Sequence, residues 1–200
     1  MNYLAHLHLG GAEPEQLLGS LYGDFVKGRL KGMWPEPVEQ AIWLHRRIDV
    51  FTDQHAIVER AKARFTQTQR RYSGILVDVF FDHCLACHWG QYANEPLPQF
   101  TQKVYQTLTH TPNLPESLAR IAPHMVKHDW LGSYKEFAIL DQVISGIAKR
   151  LSRPDALALG FAQMQELYAV LNQDFAHFYP ELMAFAARER LKNQHICMGA

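Results

Sequence analysis

The sequence predicts an all-α protein, and three observations predict it. Apolar residues recur at helical spacing, as in Ile42, Leu44, Ile48 and Phe51, and again in Leu157, Phe161, Met164, Leu167, Leu171 and Phe175. No apolar–polar alternation runs long enough to make a useful strand. No repeat or low-complexity tract appears, and proline or glycine punctuates the helical segments. With 200 residues, 48% of them hydrophobic and 12% aromatic, the chain can bury a substantial core, so one compact multi-helix domain over residues 1–200 is expected.

Taken in order, residues 2–9 set Leu4, Leu7 and Leu9 among His6 and His8 and stop at Gly10-Gly11, a first turn or helix too short to stand alone. Pro14 between Glu13 and Glu15 marks the next helix start, where proline fits the first turn and acids face the positive end of the dipole. That helix carries Asp24 and ends at Gly28. Trp34-Pro35-Glu36-Pro37 forces an extended turn, and a helix follows from about Pro37. Glu59 to Arg64 reads as a solvated helical face. After Ser73-Gly74, Ile75 to Trp89 is apolar at nearly every position, the pattern of a helix buried on most of its circumference. Further helices are expected over 100–110, 118–130 and 134–151, then from Pro154 to about Phe178, with Tyr179-Pro180 interrupting before a terminal helix through Arg190.

Composition narrows the partners. Lys+Arg and Asp+Glu balance at 20 each, which argues against a generic polyanion binder, so no nucleic-acid partner is expected and any basic surface is a local patch. No stretch approaches the roughly 18 apolar residues of a bilayer span, and the first residues lack a basic leader, so no membrane association and a cytoplasmic location are expected. An odd number of cysteines, 3, points to reduced thiols.

Three segments concentrate chemistry. His45, Asp49 and Asp53 follow one another at i, i+4 and i+8, so an imidazole and a carboxylate one turn apart can grip one cation. Read alone, this segment fits better a capped amphipathic helix in which Asp49 pairs with Arg46 or an exposed lysine; the second acidic helix downstream tips the balance to a site. Asp78 and Asp82, with His83 beside them, sit inside the apolar helix, where carboxylates require arginines or a cation. His6, His8 and Asp24 form the third group. Mixed imidazole and carboxylate ligands suit Mn²⁺, Fe²⁺, Mg²⁺ or Zn²⁺. Of the decoys, Cys84-Leu85-Ala86-Cys87-His88 matches a c-type haem attachment pattern, but it lies in the most buried helix of a chain without an export leader, so no haem is expected. His128-Asp129 competes for the metal but reads as an exposed helix end.

Four ordered blocks resemble the bacterial acyl carrier protein phosphodiesterases: residues 2–9, Gly23 to Gly28, His45 to Asp53, and Asp82 to Ala86 with His88-Trp89. That family is regarded as a non-typical branch of the His-Asp phosphohydrolases. The resemblance implies an HD-phosphohydrolase-like helical fold and a divalent metal, usually manganese, with Mg²⁺ or Fe²⁺ as alternatives. It implies hydrolysis of the phosphodiester between 4′-phosphopantetheine and the serine of holo-acyl carrier protein. Carried over residue by residue, the metal candidates are Asp24, His45, Asp49, Asp82 and His83. Asp24 or Asp82 is the candidate for orienting or deprotonating the water, and His83 or His6 for protonating the leaving oxygen. Lys27, Arg29, Arg46 and Arg47 lie close in sequence and are candidates for meeting phosphate or an acidic protein surface. The alternative reading is a His-Asp hydrolase of a nucleotide or another small phosphate ester.

Overall fold

The computed structural model describes residues 3–149, 157 and 159–197, with side chains described as far as residue 192. Asn2, Leu151 and Pro154, which enter the expectations above, lie outside the described residues. The all-α expectation holds: every regular element among the described residues is helical.

α1 (Tyr3–Gly10) is an eight-residue helix whose Leu4, Ala5 and Leu7 are fully buried. α2 (Pro14–Phe25) opens with proline in its first turn, where the missing N–H would have no partner anyway, and Gln16 Oε1 accepts from the Glu13 N–H. α3 (Glu36–Gln54) begins in the proline-rich turn and gathers Glu36 and Glu39 in its first turn, where the dipole favours them. α4 (Ala56–Ala63) is capped by His55, whose Nδ1 accepts from Ile57 N–H. A short 3₁₀ turn at Arg70–Tyr72 leads into α5 (Ser73–Cys87).

α5 is the axis of the core. Leu76, Val77, Val79, Phe80, Phe81, Cys84 and Leu85 are at most 1% exposed, so the helix is enclosed on almost every side, as its unbroken apolar run requires. Around it lie α6 (Trp89–Tyr92), α7 (Leu97–His110), α8 (Glu116–Lys127), α9 (Trp130–Ser133), α10 (Ile139–Ala148), α11 (Gly160–Glu166) and α12 (Tyr168–Cys197). α1, α4, α10, α11 and α12 all pack on α5, and one continuous cluster of buried side chains runs from Leu4 to Ala186. Each large apolar side chain so enclosed contributes about 1.5–3 kcal/mol.

Three expectations are corrected. The single helix from Pro154 to Phe178 is divided at Leu167, between α11 and α12. Conversely, Pro180 does not end a helix: α12 passes through it. The proline forfeits one backbone hydrogen bond, but Phe175, Phe178, Tyr179 and Leu182 on either side are fully buried and hold the helix course. The segment expected as a helix over 134–151 begins later, at Ile139, after α9 and a run of turns. No described helix is long and apolar enough to cross a membrane.

The α2–α3 contact positions the site. A Cβ on Gly19 would stand 2.4 Å from the Val38 carbonyl oxygen, and one on Gly23 would stand 2.2 Å from His45 Cγ. These two glycines, one turn apart, let the α2 backbone approach α3 more closely than any side chain permits.

Candidate functional site

α1, α2 and α3 bring two imidazoles and two carboxylates together. His6 Nε2 lies 3.1 Å from Asp49 Oδ1, and His45 Nε2 lies 3.3 Å from Asp49 Oδ2 and 3.7 Å from Asp24 Oδ1. The rings of His6 and His45 stack with centroids 3.6 Å apart and planes 14° from parallel. Both imidazoles are buried, at 2% and 3% exposure, whereas the Asp24 and Asp49 side chains are 45% and 43% exposed. The nitrogens therefore form the floor of the site and the carboxylates its rim.

The partners of each ring fix what it can offer. His45 Nδ1 is 2.8 Å from the Ser20 carbonyl, which can only accept, so Nδ1 carries the proton and in the neutral ring Nε2 presents a lone pair toward the two carboxylates. Gly23 makes room for that ring. Neither nitrogen of His6 has an aligned hydrogen-bond partner among the described residues, a condition that costs a buried polar group about 1–3 kcal/mol. One atom each from His6, His45 and Asp49 can be chosen so that all lie within 4.8 Å of one another, close enough to hold a metal ion.

Electrostatics follow from this packing. Burial, reinforced by His45 alongside, pushes the His6 imidazole down to about 3 despite the opposing Asp49, so the ring is neutral near pH 7. Burial alone would raise Asp49, but the facing His45 and His6 rings override it and hold its carboxyl well below the usual carboxylate range. Asp24 is raised, first by desolvation and further by Asp49, with His45 opposing.

The structure turns other candidates away from this cluster. Asp82 is fully buried and accepts hydrogen bonds from the backbone N–H groups of Leu4, at 2.8 Å, and Ala5, at 3.2 Å, so it caps α1 from the core. Burial pushes its carboxyl up to about 7, outweighing those two donors. His83 donates from Nδ1 to the Tyr134 carbonyl at 2.7 Å and accepts at Nε2 from the Tyr168 hydroxyl at 2.9 Å, among Phe80, Phe137 and Tyr168. Neighbours on a helix diverge by about 100°, so the Asp82-His83 pair faces two different walls instead of one pocket.

Two of the four basic candidates are also engaged elsewhere. Arg46 donates to the carbonyls of Val26 and Gly28, each at 2.8 Å, and so pins the segment that follows α2. Arg47 pairs with buried Glu189 at 2.9 Å and lies over Trp43 and Phe185. Lys27 and Arg29 are exposed, as is Lys31. Asp53 pairs with Lys62 at 3.1 Å, Asp78 is half-buried, and Asp129 caps α9 by accepting from Gly132 N–H. Cys84 of the haem-like pattern is buried, and His88 Nε2 lies 3.1 Å from Asn172 Oδ1. Ser20 and Gly19 escaped the sequence reading, and Gly23 entered it only as the first residue of a family-like block; the Gly-x-x-x-Gly spacing on α2 was the available signal for their packing role.

The fold and site together define an all-helical protein whose histidine–carboxylate cluster opens to solvent through its acids. The family model described as acyl carrier protein phosphodiesterase matches residues 1–182. Proteins named acyl carrier protein phosphodiesterase are similar over nearly the full length. That of Serratia proteamaculans is 40% identical over 195 residues, covering 96% of this chain and 100% of the relative. Those of Yersinia pestis and Salmonella agona are each 37% identical over 193 residues, with the same two coverages. No solved structure shows a significant match. The chain belongs to the acyl carrier protein phosphodiesterase family.

Proposed function

We propose that this protein is a metal-dependent phosphodiesterase that hydrolyses the 4′-phosphopantetheine–serine linkage of holo-acyl carrier protein, releasing apo-acyl carrier protein and 4′-phosphopantetheine. The observation that carries the metal reading is the buried His6 ring, unsatisfied at both nitrogens, stacked on His45 so that both Nε2 atoms face Asp49. The neutral His45 ring presents a lone pair at Nε2 and the His6 ring is free to do the same; two such lone pairs beside one carboxylate suit a divalent cation, whereas protonating both rings would set two positive charges 3.6 Å apart.

His6, His45 and Asp49 would hold the ion, and Mn²⁺ is the reading the family resemblance favours. Such an ion would lower the pKa of a bound water and neutralise a non-bridging phosphate oxygen. Asp24, at the rim with a raised pKa, orients the attacking water and accepts its proton. The water oxygen bonds to phosphorus as the phosphorus–oxygen bond to serine breaks, and the proton taken up by Asp24 passes to the departing oxygen, so that serine leaves as its alcohol. Ser20 holds the His45 tautomer throughout. Lys27 and Arg29, exposed beyond Asp24, with Lys31 next to them, meet the anionic substrate, whereas Arg46 and Arg47 act as fasteners.

The test is incubation of holo-acyl carrier protein with the protein and Mn²⁺, followed by mass spectrometry. Loss of the phosphopantetheine mass, abolished by chelation and by Asp24→Asn, is the expected result. Intact holo-protein alongside hydrolysis of small nucleotides would overturn it.

A further inference from the structure

α1 is too short to keep its own orientation, since an isolated helix of its eight residues is marginal in water. Its polar groups show what holds it. At its N-terminal end, the Asp82 carboxylate of α5 accepts from the N–H groups of Leu4 and Ala5, at 2.8 and 3.2 Å. Toward its other end, His8 Nε2 donates to the Tyr92 carbonyl at 3.1 Å, which leaves Nδ1 to accept from the Tyr179 hydroxyl at 2.7 Å. Between these anchors, His6 alone of the two α1 histidines lacks an aligned hydrogen bond, and its Nε2 faces Asp49.

We infer that Asp82 is a positioning residue for His6: by capping α1 from the core, it sets the height and rotation at which the His6 ring enters the site. The helix geometry makes this demanding. A slip of one residue along α1 displaces a side chain by about 1.5 Å and turns it by about 100°, enough to take His6 off Asp49 altogether. Asp82 is fully buried and its two acceptor oxygens are both used on α1, so its carboxylate spans the gap between the core helix and the helix that bears the ligand. This inference rests on the role given to His6 in the proposed function.

Asp82→Asn keeps the size of the side chain but replaces one acceptor oxygen with an N–H₂ that opposes a backbone donor. Mn²⁺ affinity is measured by calorimetry in the wild type, Asp82→Asn, His6→Ala and the double variant. The ring signals of His6 are followed by ¹H–¹⁵N NMR in the metal-free proteins. Asp82→Asn is expected to weaken Mn²⁺ binding about ten- to a hundredfold, as for other groups that orient ligands, and to shift the His6 signals. In the His6→Ala background, the same change should cause no further loss. Wild-type affinity with unmoved His6 signals, or an undiminished extra loss in the His6→Ala background, overturns the inference. If Asp82→Asn does not fold, Asp82→Glu, with its carboxylate on a longer arm, carries the same comparison. If the wild type takes up no Mn²⁺, the metal reading falls by itself, and the His6 signals decide the positioning role: a shift supports it and no shift overturns it.

Discussion

Gly23→Ala is a small substitution with a large expected effect. The added methyl would stand 2.2 Å from His45 Cγ, 2.4 Å from Cδ2 and 2.5 Å from Nδ1. Carbon atoms pack at about 3.5–4.0 Å, so the ring must retreat by roughly 1.3 Å or α2 and α3 must part. Either movement takes Nδ1, now 2.8 Å from the Ser20 carbonyl, beyond good hydrogen-bond distance. Alanine gains about 1 kcal/mol of helix propensity over glycine. Overpacking costs about 1–3 kcal/mol. The balance leaves the variant folded and destabilised by at most about 2 kcal/mol. Catalysis has no such compensation, since a misplacement of about 1 Å can cost a hundredfold. Chemical denaturation and kcat/KM on holo-acyl carrier protein, measured together, should show a near-normal unfolding midpoint and a hundredfold loss of turnover. The control is Gly146→Ala on α10, where a Cβ meets nothing within 4 Å; that variant should be stabilised by about 0.4–1 kcal/mol with turnover unchanged. A folded Gly23→Ala protein with wild-type turnover would refute the reasoning.

Other substitutions test the supports. Arg46→Lys keeps the charge but loses the paired grip on the Val26 and Gly28 carbonyls, so backbone amides over 26–30 should exchange faster with deuterium and kcat/KM should fall about tenfold; unchanged exchange would show that the grip is dispensable. Asp82 has a distinct pH signature. Burial raises its folded pKa to about 7, above the ordinary carboxyl range, so its contribution to stability is fully present below the unfolded pKa and is lost as pH rises through the folded one. The stability advantage of wild type over Asp82→Asn, from urea denaturation, should therefore shrink by about 2 kcal/mol between pH 5 and pH 7.5. A difference that does not change with pH would show that burial does not raise this carboxyl.

Much of the helix plan is legible in the chain because apolar spacing and proline placement act locally. α5 is recognisable as buried because almost no position in it is polar. What fails is also physical. Pro180 reads as a stop because local propensity cannot register that Phe175, Phe178, Tyr179 and Leu182 are all held in the core. For the site, i, i+4 spacing announces His45 with Asp49, and the isolated acid at Asp24 stands out among apolar neighbours. Asp82 and His83 look like one unit in sequence, yet adjacent residues on a helix diverge, and which wall each meets depends on elements far along the chain. Arg46 and Arg47 look available because their partners, backbone carbonyls and Glu189, leave no local trace.

The anchoring of α1 also dictates when the protein can become competent during synthesis. Its residues leave the ribosome before the helices that hold it: the acceptor for its amides arrives 78 positions after Leu4, and the hydroxyl that steadies His8 arrives 171 positions after it. A nascent chain halted between Asp49 and Tyr179 has made His6, Asp24, His45 and Asp49 but lacks part of the clamp that keeps the first histidine oriented. Closing contacts of such long range is slow, because chain entropy opposes each of them until the rest has collapsed. α1, made before the helices that anchor it, is therefore among the last to settle, and products truncated between Asp49 and Tyr179 carry the histidine–carboxylate cluster without its full clamp.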